Sequence, residues 1–130
     1  MKFNEFYSLT IVHSRDIILV KGVDYMNITK QKSQKTFDKQ AADYDTNIQG
    51  EHARKLYKPI IENLKNKNIH SILDLGCGTG ALLKEIKELN IAEQLFGIDI
   101  SPNMLEIAKN KLGNDATLIL GDSERLPFED

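Results

Sequence analysis

Short apolar segments alternate with helical patterns over residues 69–120, and this alternation limits the possible fold more than any other feature. We expect strands at residues 71–73, 94–98 and 116–120, with one helix between each successive pair. Strands joined in this way pair in parallel through right-handed crossovers. The sequence therefore predicts an α/β fold: half of a Rossmann-like doubly wound parallel sheet, with three strands.

The two connecting helices carry their own boundary signals. The first should follow a glycine-rich loop and continue through Asn90, with apolar residues recurring on one face. The second should begin at Ser101-Pro102, because serine is a preferred N-cap and proline suits the first helical position. It should stop at Gly113.

The region before the predicted sheet divides in two. Residues 33–67 show helical periodicity, and Pro59 predicts a kink or a new start near Lys58. The first of these helices places three residues on one face, Phe37, Ala41 and Tyr44. Residues 6–12 and 17–20 are β-prone, so residues 1–25 form either a hairpin or a poorly ordered extension.

Composition excludes several classes of protein. The 17 basic and 19 acidic residues give a net charge of −2 without a block of like charge, so neither nucleic acid nor an anionic membrane is an expected partner. The longest aliphatic run, residues 17–20, is far too short to span a membrane. A single cysteine, Cys77, forms no intrachain disulfide and fits a reducing cytoplasm. The three histidines share no ligand spacing with it, so no metal site is expected.

The loop LDLGCGTGA, residues 73–81, joins the first predicted strand to the first helix and contains three glycines. Ligands of such sheets lie beyond the carboxyl ends of the strands, where bare backbone lets them approach N–H groups. Gly76, Gly78 and Ala81 also satisfy the dinucleotide pattern G-x-G-x-x-G/A. A tight turn that packs helix on strand is the simpler alternative.

One acid stands at the end of each predicted strand. Asp74 would repel a pyrophosphate on the same helix start and would suit a ligand with an ammonium group. Asp99, after the second strand, is placed to bind ribose hydroxyls. Asp122, followed by Ser123, could accept from an adenine amine. Three acids in register along one sheet edge favour an adenosyl ligand.

Three stretches of the sequence resemble successive motifs of class I S-adenosylmethionine-dependent methyltransferases. They are IHSILDLGCGTG, LFGIDISPNMLEIAK and LILGDSERLPFED. FDKQAADYD resembles the small-molecule branch that includes ubiquinone/menaquinone-biosynthesis-type enzymes. The resemblance implies an extension over residues 1–30, a helical lid over 31–68 and a cofactor-binding half-domain over 69–130. It implies S-adenosylmethionine as cofactor, S-adenosylhomocysteine as product and a small-molecule methyl acceptor.

On the methionine side of the cofactor, the resemblance assigns roles to five residues. Gly76, Gly78 and Gly80 would line the methionine part, and Asp74 would help hold its amino group. Tyr44 would close over the cofactor, although a core aromatic facing Phe37 is an equally good reading of this tyrosine.

On the adenosine side, the resemblance assigns five more residues. Asp99 would bind both ribose hydroxyls, and its replacement should hardly change the fold because the acid faces the cleft. Ile100 and Met104 would flank the adenine, while Asp122 and Ser123 would meet its polar edge.

The sequence does not identify a catalytic base, and the nearest candidates along the chain are Asp43, Tyr44 and His52. Two other functions also stay open: an NAD(P)-dependent oxidoreductase and a non-catalytic S-adenosylmethionine-binding module.

The family's sheet normally has seven strands, and this sequence supplies three. The chain stops just before the strand expected beside the first one, whose edge would lack a partner. We expect a fragment of a longer protein; self-association and coverage of the edge by residues 6–23 are the alternatives.

Overall fold

The computed structural model describes residues 17–21 and 30–122. Its elements, in chain order, are β1 (Ile17–Lys21), α1 (Lys30–Gln40), α2 (Ile48–Leu64), β2 (Ile69–Leu75), α3 (Ala81–Glu88), β3 (Ala92–Asp99), α4 (Pro102–Leu112) and β4 (Thr117–Leu120).

The sheet has four parallel strands in the order β1-β2-β3-β4. The predicted α/β fold with a Rossmann-like parallel sheet after N-terminal helices is confirmed, and the three predicted strands are β2, β3 and β4. Every residue of β2 except His70 is buried, as expected for an inner strand of a parallel sheet. The sheet has one strand more than predicted.

The additional strand is β1, which pairs with β2 from Ile17 opposite Ser71 to Lys21 opposite Leu75. The edge of β2 that was expected to lack a partner is therefore occupied by residues 17–21. Residues 6–12, the other arm of the predicted hairpin, lie outside the described residues. The β-prone run at residues 17–20 is confirmed as a strand, and its partner here is β2.

Two apolar clusters cover the two faces of the sheet. The larger joins the inner side of β2 and β3 to α2, α3 and α4, and its most buried members are Leu64, Ile72, Leu83, Ile86, Leu95 and Leu112. The smaller contains Leu73, Leu75 and Ile98, with Phe96 and Ile119 packed against it. Successive strand residues point to opposite faces, so Ile72 and Leu73 belong to different clusters.

Local chemistry explains the helix boundaries. Ser101 caps α4, its hydroxyl accepting from the Met104 amide at 3.1 Å, and α4 ends before Gly113 at φ 55°. The predicted cap and stop are therefore confirmed. α3 ends at Glu88 rather than Asn90, because Asn90 has the left-handed φ of 51° and cannot extend the helix.

One helical prediction was wrong: α1 ends at Gln40, so Tyr44 lies in the following turn and does not share a helix with Phe37. For Pro59, which is exposed, the alternative of a new helix start is excluded because α2 continues through it, while a kink stays a prediction. Because Pro59 has no N–H to donate, one carbonyl of the preceding helical turn lacks its usual partner. Pro59 is exposed, so water can hydrogen-bond to that carbonyl instead. No helix in the described part of the chain is long and apolar enough to cross a membrane.

Candidate functional site

The carboxyl ends of β2, β3 and β4 meet at one edge of the sheet. Asp74 is opposite Gly97 in the β2–β3 register, so Asp74 and Asp99 lie on adjacent strand ends. Asp122 follows β4, and the preceding Gly121 amide donates to the Asp99 carbonyl at 2.9 Å. The three predicted acids thus lie along one edge, whereas Ser123 lies outside the described residues.

The glycine loop, residues 76–80, needs glycine for conformation and for space. Gly76, Gly78 and Gly80 have φ values of 76°, 55° and 76°. A Cβ on Gly80 would lie 2.9 Å from Leu112 Cδ1, so α4 packs directly on the loop. A Cβ on Gly78 would meet nothing within 4 Å. The Gly78 backbone therefore faces open space that a ligand could enter.

Four amides of this loop already donate inside the chain. Those of Gly76 and Cys77 donate to the Ile98 carbonyl at 2.8 and 3.0 Å, and that of Gly80 donates to the Cys77 carbonyl at 2.9 Å. The Gly78 amide donates to Asp99 Oδ2 at 2.8 Å. The expectation that these four amides are available to a ligand is corrected, because three of them tie the loop to β3 and the fourth donates within the loop.

Asp99 holds two loops together. Its Oδ2 accepts from Gly78, and its Oδ1 accepts from the Ser101 amide at 2.8 Å. Burial raises the pKa of Asp99, although these backbone hydrogen bonds oppose the rise. The expectation that its replacement would hardly change the fold is therefore not supported, because the buried Ser101 amide and the partly buried Gly78 amide would lose their acceptor.

Asp74 is buried with only 5% of its surface exposed. Burial, and then the negative charge of Asp99, raise the pKa of Asp74 to about 7. Among the side chains of residues 32–122, the structure gives Asp74 no ion pair with a basic group. A cationic ligand group would stabilise a buried acid in this situation, and the predicted role of Asp74 in holding an ammonium group stays a prediction.

Two further residues assigned to the cofactor lie around the start of α4. Ile100 is half-buried directly after β3, whereas Met104 is 1% exposed and belongs to the interior. Cys77, between two of the glycines, is buried, and burial raises the pKa of its thiol. This cysteine is a packed loop residue in contact range of Gly97, where a Cβ would lie 2.8 Å from its sulfur.

Tyr44 is half-buried in the turn between α1 and α2. Its ring meets that of Phe37 edge-on, with centroids 6.3 Å apart. Its carbonyl accepts from Arg54 Nη1 at 2.7 Å, and Arg54 Nη2 donates to the Asn47 carbonyl at 2.6 Å. The contact with Phe37 agrees with the aromatic packing reading, while a role over the cofactor stays a prediction.

The turn also reaches the glycine loop through Asp45. The Asp45 carboxylate accepts from the Thr79 hydroxyl and pairs with Lys111 of α4, whose Nζ donates to Thr79 Oγ1 at 3.0 Å. Burial raises the pKa of Asp45, but the hydrogen bonds from Lys111 and Thr79 outweigh it and leave the pKa below its ordinary value. We refer to Asp45, Thr79 and Lys111 as the Asp45 cluster.

Asp38 connects α1 to the start of α4 in a similar way. Its Oδ1 accepts from the Ser101 hydroxyl and, at 3.3 Å, from the Asn103 amide, and Asn103 Nδ2 donates to the Asp38 carbonyl at 3.2 Å. Sequence reasoning missed Asp38 and the Asp45 cluster. The signal was available, because both acids belong to FDKQAADYD, of which only Tyr44 was assigned a role at the cofactor.

Tyr57 of α2 is a further residue that the sequence did not indicate. Burial raises the pKa of its phenol, and so do the nearby charges of Asp74, Tyr44 and Asp45. Tyr57 packs against the larger apolar cluster, and its phenol is near enough to these acids for their charges to act on it.

Known proteins are similar to parts of this chain in sequence and in fold. Residues 72–130 match the family described as "Methyltransferase domain". The malonyl-[acyl-carrier protein] O-methyltransferase of Priestia megaterium is 35% identical over 105 residues, which are 78% of this chain and 38% of that protein. The demethylmenaquinone methyltransferase of Thermotoga maritima is 33% identical over 105 residues, 78% of this chain and 45% of that protein.

Among solved structures, similarity extends to the complex between the Haloferax volcanii Trm112 methyltransferase activator and a methyltransferase. The match has a TM-score of 0.58 and 28% identity, and it covers 72% of this chain and 42% of that one. Over the matched residues, the chain carries the N-terminal part of a class I S-adenosylmethionine-dependent methyltransferase domain. It spans less than half the length of these relatives.

Proposed function

We propose that this chain is the cofactor-binding portion of a methyltransferase that transfers a methyl group from S-adenosylmethionine to a small molecule. The observation that carries the proposal is Asp74, a buried acid at the strand edge without a basic partner in the described part of the chain. The α-ammonium group of the cofactor supplies the positive charge that this acid lacks.

The neighbouring groups fit the rest of the same ligand. Asp99 already accepts two amides, and carboxylate oxygens have further lone pairs for the ribose hydroxyls. The open space at Gly78 accommodates the methionine part. Ile100 would contact the adenine from the start of α4, with Asp122 and Ser123 at its polar edge, whereas the burial of Met104 leaves almost none of its surface for this contact.

The same geometry weakens the oxidoreductase alternative. A dinucleotide places its pyrophosphate on free amides at the loop and helix start. Here four loop amides are engaged internally, and an ionised Asp74 would repel a phosphate.

The bound cofactor supplies an activated methyl group, since a sulfonium sulfur leaves as a neutral thioether when the acceptor's electron pair takes the methyl carbon. The protein's part is to hold donor and acceptor in line, and well-oriented reactions gain roughly 7–11 kcal/mol in this way. Tyr44, which we propose closes over the cofactor, would help to keep water from that carbon. The relatives' names include an O-methyltransferase and a demethylmenaquinone methyltransferase, so a small acceptor is the proposed substrate class.

Calorimetric titration tests the proposal with S-adenosylmethionine, S-adenosylhomocysteine and NAD as separate ligands. The two adenosyl ligands should bind and NAD should not. Asp74→Asn preserves the shape but removes the charge, and it should weaken adenosyl binding by roughly tenfold or more. Binding of NAD without binding of either adenosyl ligand would refute the proposal.

The pH dependence supplies a second readout. Because the ligand-free Asp74 has a pKa of about 7, a proton must leave it before it can pair with an ammonium group. Affinity for S-adenosylhomocysteine should therefore rise between pH 6 and 7, by up to about tenfold per unit. It should level off above pH 7 and fall again at alkaline pH, once the ligand's amine loses its proton. Asp74→Asn should lose the rise at low pH, and an unchanged profile in that variant would mean that another group binds the amine.

A further inference from the structure

The carboxylate of Asp45 connects the turn before α2 to the glycine loop. Asp45 reaches Thr79 inside the loop and Lys111 on α4, residues that are 34 and 66 positions away in sequence. Thr79 is 2% exposed, and the Lys111 and Asp45 side chains are 22% and 38% exposed. The contact is thus formed at the margin of the site, partly shielded from water.

Each member of the Asp45 cluster bonds to the other two. Thr79 donates its hydroxyl proton to Asp45 and accepts from Lys111 at 3.0 Å, while Lys111 also pairs with Asp45. Charge-assisted hydrogen bonds of this kind are stronger than neutral ones, and a closed set of three is stiffer than an isolated surface pair. Thr79 lies between Gly78 and Gly80, so the cluster acts directly on the part of the loop that faces open space.

The second attachment of the same segment lies seven residues earlier in the chain. Asp38 accepts from Ser101 and Asn103 at the start of α4, next to the residues assigned to the adenine. Tyr44 lies between the two attachments. Residues 38–45 are therefore fastened at one end beside the adenosine side of the site and at the other beside its methionine side.

From this arrangement we infer that Asp45, Thr79 and Lys111 are positioning residues that couple closure of residues 38–47 to the geometry of the glycine loop. The inference rests on the proposed function, because it assigns these residues an effect on S-adenosylhomocysteine and S-adenosylmethionine binding without contact with either ligand. Opening of the segment breaks the Asp45 cluster, releases Thr79 and opens the route by which a ligand leaves.

Amide hydrogen exchange of the full 130-residue chain tests the coupling without a ligand. The amides of Thr46 and Asn47 both donate to the Asp43 carbonyl at 2.9 Å and report on whether the turn is closed. Asp45→Asn and Lys111→Met should each accelerate exchange at these amides by roughly tenfold, with the double variant no faster than either single one. Lys111→Arg keeps a cationic donor and should restore most of the protection.

Two exposed residues of α4 provide matched controls. Glu106→Gln and Lys109→Met make the same changes of charge on the same helix without touching the cluster, and they should leave exchange at Thr46 and Asn47 unchanged. Because part of the cluster is exposed, high salt should also reduce the difference between the natural chain and Lys111→Met. Loss of side-chain volume alone would not respond to salt in this way.

Binding of S-adenosylhomocysteine then tests the effect on the site. Asp45→Asn should weaken binding roughly fivefold, mainly through faster dissociation. Unchanged exchange in both single variants would overturn the inference, and so would faster exchange with unchanged affinity. If the natural chain itself does not bind the ligand, the proposed function fails, whereas the closure of residues 38–47 by the Asp45 cluster is still decided by the exchange data.

Discussion

The segment that carries α1 and the turn after it is attached to the molecule in a different way from the sheet and its helices. Leu64, Ile72 and Leu83 of the sheet region are fully buried, and they join three elements into one apolar cluster. In α1, by contrast, no side chain among residues 32–40 is buried, and among residues 41–47 of the turn only Ala41 is. Its described links to the rest of the chain include the hydrogen bonds of Asp38, and those of Asp45 follow in the turn.

This difference divides the molecule into two parts. One is the sheet with the helices packed on it, which we call the frame, and the other is the segment of residues 38–47, whose opening is inferred above. Apolar burial is lost only when the elements separate, so β2, β3 and the helices behind them should unfold together. Hydrogen bonds at a partly exposed boundary can exchange for water at modest cost. Under the proposed function, a ligand bound between the two regions would contact the rigid sheet on one side and the segment that we infer to open, residues 38–47, on the other.

The largest expected effect comes from the frame. Ile72→Ala removes a fully buried side chain from the middle of β2 and should lower the free energy of unfolding by about 2–5 kcal/mol. Leu89→Ala, at a position that is 49% exposed, should change it by no more than about 0.5 kcal/mol. Denaturant titration of the two variants measures this. Equal losses would mean that the apolar cluster does not dominate the stability of the sheet region.

A smaller effect is expected at the boundary of the two regions, at Asp99. Asp99→Ala leaves the Gly78 and Ser101 amides without their acceptor and should cost about 1.5–3 kcal/mol of stability, in addition to weaker S-adenosylhomocysteine binding. Both losses should appear, one in a denaturant titration and one in a ligand titration.

The control for Asp99 is Asp115→Ala, since Asp115 is an exposed acid whose partner, Lys87, lies 3.2 Å away at the surface. It should leave both quantities nearly unchanged. An Asp99→Ala chain that keeps its full stability and loses only affinity would show that the two amides find other acceptors, and that the original reading of Asp99 as a ligand-only residue was right.

Residues whose roles depend on nearby sequence could be predicted. The periodicity of α3, the Ser101-Pro102 start of α4 and the apolar run of β4 are local patterns, and each describes an element that exists. The gathering of Asp74, Asp99 and Asp122 at one edge also followed, because parallel strands all end on the same side of a sheet.

Long-range contacts could not be predicted in the same way. A short apolar run such as residues 17–20 indicates a strand but not its partner, so pairing of β1 with β2 was only one of several possibilities. The hydrogen bonds of Asp38 to Ser101 and of Asp45 to Lys111 span 63 and 66 residues. They depend on how α1 is docked, which no local pattern encodes. The engagement of the loop amides by Ile98 likewise appears only when two strand ends lie side by side.

The smallest expected effect on global stability comes from Arg54, which attaches the segment of residues 38–47 to α2. Its guanidinium donates to the carbonyls of Tyr44 and Asn47 and so fastens the turn to α2. Arg54→Met should lower the global free energy of unfolding by only about 1 kcal/mol, because the loss cannot exceed the free energy that keeps this segment closed. Exchange at the Thr46 and Asn47 amides should nevertheless accelerate.

The neighbouring basic residue provides the control for Arg54. Lys55 pairs with Glu51 at 2.8 Å on the outer side of α2, with both side chains largely in water. Lys55→Met should therefore alter neither the unfolding midpoint nor the exchange at Thr46 and Asn47. If Arg54→Met instead destabilised the whole chain as much as Ile72→Ala, the turn would be part of the frame, and ligand entry would need a route that does not involve residues 38–47.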